Sequence, residues 1–191
     1  MVIQIVYLDN GCENFEQDQP IEGRQAKQQY LKMRTAASIV DSARSWLGTP
    51  FHPQGRKKGV GCDCLGLIIE IGHEPAVNGL IKHDIKIHDR CDYHYLDDSY
   101  VIKQAFDKHL TIAGPDNSLH IGDIILLQLT KTIHHLAVVV DVERMTNSRP
   151  RDRHSIIHAC SSRGIICETT MPQTWYKKII GSWRFEYNTK D

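Results

Sequence analysis

The stretch Gly59-Val60-Gly61-Cys62-Asp63-Cys64-Leu65-Gly66-Leu67-Ile68-Ile69-Glu70-Ile71-Gly72 joins two kinds of local sequence. Its first half is glycine-rich, the composition of an irregular loop. Its second half is an apolar run that reads as a buried helix. The change falls at Asp63 or Cys64, so a helix is expected to begin there and to carry Leu65, Leu67, Ile68, Ile69 and Ile71 inward. Gly72 and Pro75 are expected to close it. A helix N-terminus carries partial positive charge and unpaired N–H groups. Both favour thiolate over thiol, and cysteines in that setting titrate well below the free value of about 8.5. Gly61 and Gly66 are expected to leave room for a substrate backbone. Cysteine is, however, more often a small buried apolar residue, so the junction alone leaves packing and chemistry equally open.

Upstream, Ala36, Ile39, Val40, Ala43, Trp46 and Leu47 recur at spacings of three and four, one apolar helix face starting near Thr35. Gly48 ends that helix and Pro50 prevents its resuming. Residues 48–62 form an irregular loop, and residues 2–8 are a candidate strand. Residues 9–32 are polar, with Pro20 and Gly23, and are expected to be a linker or a partly disordered extension. Downstream, residues 76–98 read mostly as loop, and residues 99–110 as a third helix with Val101, Ile102, Ala105, Phe106 and Leu110 inward. After Pro115 the texture changes to short β-prone runs: Ile121–Leu129, His135–Val142, Ser155–Cys160, Gly164–Thr169 and Lys178–Phe185. Helices first and consecutive strands after them indicate an α+β domain, with the helices packed on an antiparallel sheet.

Composition narrows the partners. The 191 residues hold 23 Lys+Arg against 23 Asp+Glu, a formal net charge of zero. That argues against a nucleic-acid or anionic-membrane footprint. The basic clusters Arg56–Lys58 and Arg149–Arg153 fit solvated loops. No apolar run approaches the roughly 20 residues of a membrane span. The first residues lack a basic n-region and a small-residue cleavage site. Cytoplasmic synthesis without a signal peptide is therefore expected. The six cysteines, Cys12, Cys62, Cys64, Cys91, Cys160 and Cys167, are expected to be reduced.

A thiolate nucleophile needs a base near it in space. His134 and His135 open the apolar run Leu136-Ala137-Val138-Val139-Val140, and only one of two adjacent strand residues can face the cysteine. His158, in Ile156-Ile157-His158-Ala159-Cys160, can hydrogen-bond the first imidazole if the two strands are neighbours, which is the orienting role in a triad. Any single one of the 11 histidines is more often a surface or satisfied core residue; the conjunction with a helix-start cysteine is what raises these.

The residues then resemble a known family. Trp46-Leu47-Gly48-Thr49-Pro50-Phe51, Gly59 to Leu67, Gly122-Asp123-Ile124, His135-Leu136-Ala137-Val138 and Ile157-His158-Ala159, in this order, look like the NlpC-type cell-wall cysteine peptidases, and most like the branch encoded by phages and gene transfer agents. The resemblance runs from about Arg34 to about Phe185. It implies a papain-like fold, a domain at 33–187 and an N-terminal extension at 1–32. It also implies hydrolysis of peptidoglycan stem peptides, typically between D-glutamate and the diamino acid. By motif match Cys64 is the nucleophile, His135 the base and His158 the third member, with no metal and no cofactor. Asp63, Phe51 and Gly66 fall at substrate-binding positions, Asp63 where the family holds the substrate's free amine. Phage-tail-like proteins are the implied protein partners. The implied place of action is the cell wall, reached through a phage-like particle or on lysis.

Two departures stand out. Leu65 follows the nucleophile where many relatives have Ser, and Phe51 replaces a common Tyr, removing a hydroxyl. Three rivals share parts of the pattern. A thiol-dependent acyltransferase on the same scaffold would be expected to show a membrane anchor or a permuted motif order. A zinc module would need more than the Cys62-x-Cys64 spacing. A catalytically silent cell-wall-binding tail component is disfavoured by the filled triad positions.

Overall fold

The computed structural model describes residues 21–78, 99–113, 118–131, 133–143 and 152–185. The candidate strand at 2–8, residues 79–98 of the expected loop, Cys12, Cys91 and residues 149–151 lie outside that set. None of the described helices is long and apolar enough to cross a membrane.

Helix α1 (Ile21–Ser45) begins well before Thr35. Residues 25–30 are exposed, so these extra turns bury little and leave no apolar periodicity in the sequence. From Thr35 onward the expected face is real: Ile39, Val40, Ala43 and Trp46 are buried, while Leu47 points outward. A two-stranded hairpin follows, β1 (Arg56–Lys57) against β2 (Gly61–Cys62). Helix α2 (Cys64–His73) starts where the composition changes. Asp63 is its N-cap, extended at φ −108°, with its carboxylate accepting the Gly66 N–H at 2.8 Å. Leu67, Ile68 and Ile71 are fully buried, each worth on the order of 1.5–3 kcal/mol. Pro75 does more than end this helix: it opens a one-turn helix, α3 (Pro75–Asn78), whose Val77 is fully buried.

Helix α4 (Ser99–His109) presents Phe106 and Leu110 to the core, but Val101 is exposed, contrary to the expected inward face. The short β3 (Thr111–Ile112) follows. Then come β4 (Ile124–Gln128), β5 (His134–Glu143), β6 (Arg153–Cys160), β7 (Ile165–Thr170), the short α5 (Gln173–Tyr176) and β8 (Ile179–Arg184). The strands form one antiparallel sheet in the order β3-β8-β4-β5-β6-β7, so the class is α+β as expected.

Alternation splits the sheet into two faces. Leu126, Leu136, Val138, Val140, Ile157 and Ala159 join α1 and α2 in the larger core. Ile125, Leu127, Ala137, Val139 and Ile156 form a smaller cluster with Leu119 and Met171 on the other side. Segment 48–51 lies alongside β7: Gly48 donates to the Ile166 carbonyl, Ile166 to Thr49, and Phe51 to Gly164. Gly48 sits at φ +80°, a conformation that favours glycine.

Candidate active site

The pairing of β5 with β6 brings His135 and His158 together on the less covered face of the sheet. His135 Nε2 and His158 Nδ1 are 2.8 Å apart, with the rings T-shaped at 4.9 Å between centroids. Such a contact needs one hydrogen between two nitrogens. Placed on His135 Nε2, it leaves His135 Nδ1 with a free lone pair. The His158 hydrogen is then on Nε2, where Thr169 Oγ1 lies at 3.4 Å and Cys167 Sγ at 3.9 Å. In the opposite tautomer His158 Nδ1 donates, and the hydrogen of His135 moves to Nδ1. Only the first arrangement lets His135 accept a proton.

Trp175, on α5, sits T-shaped against both rings, at 5.9 Å from His135 and 5.6 Å from His158. No sequence pattern singled it out, because α5 is a single turn without apolar periodicity. His134 belongs by alternation to the opposite side of β5; its Nδ1 is buried with no hydrogen-bond partner.

Cys64 occupies the first position of α2 and is half-buried, packing against the larger core beside Leu65 and Phe51. The backbone donors that reach its thiol are those of Leu136, Leu65 and Cys64 itself. The thiol therefore meets β5 at the residue after His135. Cys62, two positions earlier, is fully buried in the core, and its thiol donates to the Asp63 carbonyl at 3.3 Å.

The electrostatics run against the low thiol pKa expected from the helix start. Burial, then the Asp63 charge, push the Cys64 thiol up to about 11, and the three backbone donors only moderate this. Cys62 is driven higher, to about 12, also by burial first. Burial lowers His135 to about 3, aided by the neighbouring His158. Burial, then Arg163, lowers His158 to about 4. At neutral pH Cys64 is thus a thiol, and both imidazoles are neutral. The described thiol whose pKa is lowered is Cys160. Its partial burial acts upward, but hydrogen bonds from Ser162, Arg163 and Cys167 outweigh it.

Asp63 and Gly66 turn out to build the surroundings of Cys64. Asp63 is fully buried; one carboxylate oxygen accepts from Gly66 N–H and from Arg56 Nη1 at 3.1 Å, the other from Gln54 N–H at 2.6 Å. The space beside Gly66 is filled: a Cβ there would overlap the Gly55 carbonyl oxygen and the Arg56 guanidinium. A Cβ on Gly61 would likewise press on His52 at 2.7 Å. Both glycines allow loop and helix to interlock, which takes the room anticipated for a substrate backbone. Arg56 and Lys58 are correspondingly no solvated cluster. Arg56 pairs with buried Asp63, and Lys58 pairs with Glu74 and stands 5.1 Å over the Trp46 ring. The Gly122-Asp123 motif is structural as well: Asp123, fully buried, takes Arg184 Nε at 2.7 Å and Nη2 at 2.9 Å.

Neither a protein-family model nor a curated protein matches the chain. Solved structures do show likeness. One is described as similar to a lipoprotein of the NLP/P60 family from Staphylococcus aureus, with 19% identity and a TM-score of 0.47 over 81% of this chain. This chain spans 42% of that protein's length. Another is the NlpC/p60 domain of the peptidoglycan hydrolase SagA, with 15% identity and a TM-score of 0.48, covering 78% of this chain and 98% of that one.

Proposed function

We propose that the protein is an NlpC-type cysteine peptidase, papain-like in fold, that hydrolyses peptidoglycan stem peptides. The observation that carries this reading is the 2.8 Å contact between His135 and His158 on the strand whose next residue, Leu136, reaches the Cys64 thiol. In this reading His135 Nδ1 takes the thiol proton as sulfur attacks the peptide carbonyl. The oxyanion forms near the N–H groups of Cys64 and Leu65 at the start of α2. His135 then returns the proton to the departing amine, leaving a thioester on Cys64. A water molecule, deprotonated by His135, attacks the thioester and releases the acid and the thiol. His158 orients the base by accepting from its Nε2–H. With thiol and imidazole both neutral at rest, proton transfer accompanies attack and no preformed ion pair is needed.

Phe51 is the substrate-contacting residue we assign, an apolar wall at the rim of the site. Asp63 acts mainly as cap and as partner of Arg56, and contacts a substrate amine only by sharing its oxygens with Arg56. The D-glutamyl–diamino acid bond, the phage and gene-transfer-agent branch, tail-like partners, and delivery to the cell wall by a phage-like particle or lysis are what the resemblance of the ordered motifs implies, and they belong to this proposal. The deciding experiment is mass spectrometry of stem peptides incubated with the purified protein. Wild type should yield two fragments that together gain one water, split after D-glutamate, and Cys64→Ala should yield none. Intact peptide with wild type, or cleavage by Cys64→Ala, would overturn the reading; transfer of the acyl group to an added amine in place of water would redirect it to an acyltransferase.

A further inference from the structure

Behind His158, on the side away from His135, three soft donors converge. His158 stands opposite Cys167 in the β6–β7 register, and Cys160 follows two residues along β6 on the same face. His158 Nε2, Cys160 Sγ and Cys167 Sγ all lie within 4.8 Å of one another. His158 and Cys167 are buried and Cys160 is half-buried, so the cluster is anchored inside yet reachable from outside. Ser162 Oγ lies 3.3 Å from the Cys160 sulfur and Thr169 Oγ1 3.4 Å from His158 Nε2, so the donors have polar neighbours, and water is the natural fourth ligand. Burial, then Cys160, raises the Cys167 thiol, with Arg163 acting the other way, so an ion must displace its proton. One imidazole nitrogen and two thiolates on rigid neighbouring strands are the donor set of a thiophilic ion such as Zn2+ or Cd2+.

We propose that His158, Cys160 and Cys167 form a thiophilic metal site whose occupation switches the peptidase off. This rests on the catalytic roles assigned above. Binding displaces one proton from each thiol. It also claims the Nε2 lone pair of His158, so the hydrogen of that neutral ring must sit on Nδ1. Nδ1–H then donates to His135 Nε2 across the 2.8 Å contact. His135 in turn carries its hydrogen on Nδ1, the nitrogen needed to accept the Cys64 proton. The ion touches neither Cys64 nor substrate; it removes the base by selecting the wrong tautomer.

Cd2+ titration of the reduced full-length protein, followed by the thiolate-to-cadmium charge-transfer band in the ultraviolet, tests the site without reference to activity. Competition between bound Cd2+ and Zn2+ extends the comparison to zinc. Cys160→Ser should weaken binding at least about tenfold, since loss of even an outer-shell partner costs about 10–100-fold. The same variant should keep its basal hydrolysis and need at least tenfold more Zn2+ for inhibition, while a chelator restores wild-type activity. Cys64→Ala should bind Cd2+ with unchanged affinity. No binding, or equal binding by wild type and Cys160→Ser, would overturn the site. Binding lost in Cys160→Ser together with a Zn2+-insensitive wild type would overturn the switch. A metal-free wild type that cleaves no stem peptide speaks against the peptidase reading alone, because the Cd2+ titration is scored separately.

Discussion

On β4, Leu126 and Leu127 are neighbours in the chain, both fully buried, and they look in opposite directions. Leu126 enters the core under α1 and α2, among Trp46, Trp183 and Phe185. Leu127 enters the smaller cluster with Ala137, Val139 and Ile156, roofed by Trp175 and Tyr176. The first layer holds large apolar side chains. The second interleaves apolar residues with His135, His154 and His158, and each of these rings has a polar partner. Burial of apolar area is thus concentrated under the helices, while these three histidines sit in the thinner layer. Cys64 links the two layers, rooted by α2 in one and reaching β5 near the other.

The largest effect that would break this division is catalytic. On the peptidase proposal, Cys64→Ala and His135→Ala should each lower kcat/KM on a stem peptide about 10⁴-fold, the scale for loss of a triad member, with the far-ultraviolet spectrum unchanged. His134→Ala, on the opposite side of β5, should keep most activity; the reverse ranking would mean that the layers are assigned the wrong way round.

Next comes the pair on β4. Truncating a buried Leu costs about 2–5 kcal/mol, depending on how far the site collapses. Urea unfolding should place Leu126→Ala near the upper end and Leu127→Ala near the lower. Equal losses would remove the energetic distinction between the faces.

The third effect is pH dependence. His135 and His158 have folded pKa values of about 3 and about 4, below the ordinary 6.5. Below pH 6.5 the unfolded chain binds protons that the folded site excludes. Their contribution is intact above that pH and declines on acidification toward pH 4, by about 1.4 kcal/mol per pH unit for each group. The midpoint of thermal unfolding should therefore fall between pH 7 and pH 5, and His158→Asn should flatten that slope. A slope identical in the variant would show that His158 is not buried neutral.

The smallest effect concerns Asp63. Its loss removes a cap worth about 0.5–2 kcal/mol and the carboxylate that Arg56 Nη1 contacts at 3.1 Å. Asp63→Ala should thus lower stability and slow peptides with free and blocked amines alike. Slowing confined to free-amine peptides would instead place Asp63 in direct contact with substrate.

Much of this architecture is legible in the sequence, because the apolar runs that form β4 to β8 are bounded by turns and face a core, so period and burial agree. The start of α2 is legible for a similar reason: the change from glycine to apolar residues is the structural boundary itself. The N-terminal half of α1 is not, since residues 25–30 bury nothing and leave no pattern. Leu47 and Val101 misled because an apolar residue at the margin of a helix face can turn outward without large cost. The thiol of Cys64 misled most. The helix start does supply donors, but the sequence does not reveal that burial and the adjacent carboxylate outweigh them. Trp175 escaped because its relevance depends entirely on a distant pairing between β5 and β6.

One feature of the loop before the hairpin bears on how the molecule behaves at high concentration. An open sheet margin exposes a row of unpaired backbone groups that can recruit a strand from another chain. At the β7 margin, segment 48–51 already occupies the groups of residues 164–166. At the other, β3 is only two residues long, too short to template a partner. The same turn that leads the chain toward Cys64 therefore also guards the sheet against edge-to-edge aggregation, so substitutions at Gly48 should be read out in solubility as well as in catalysis.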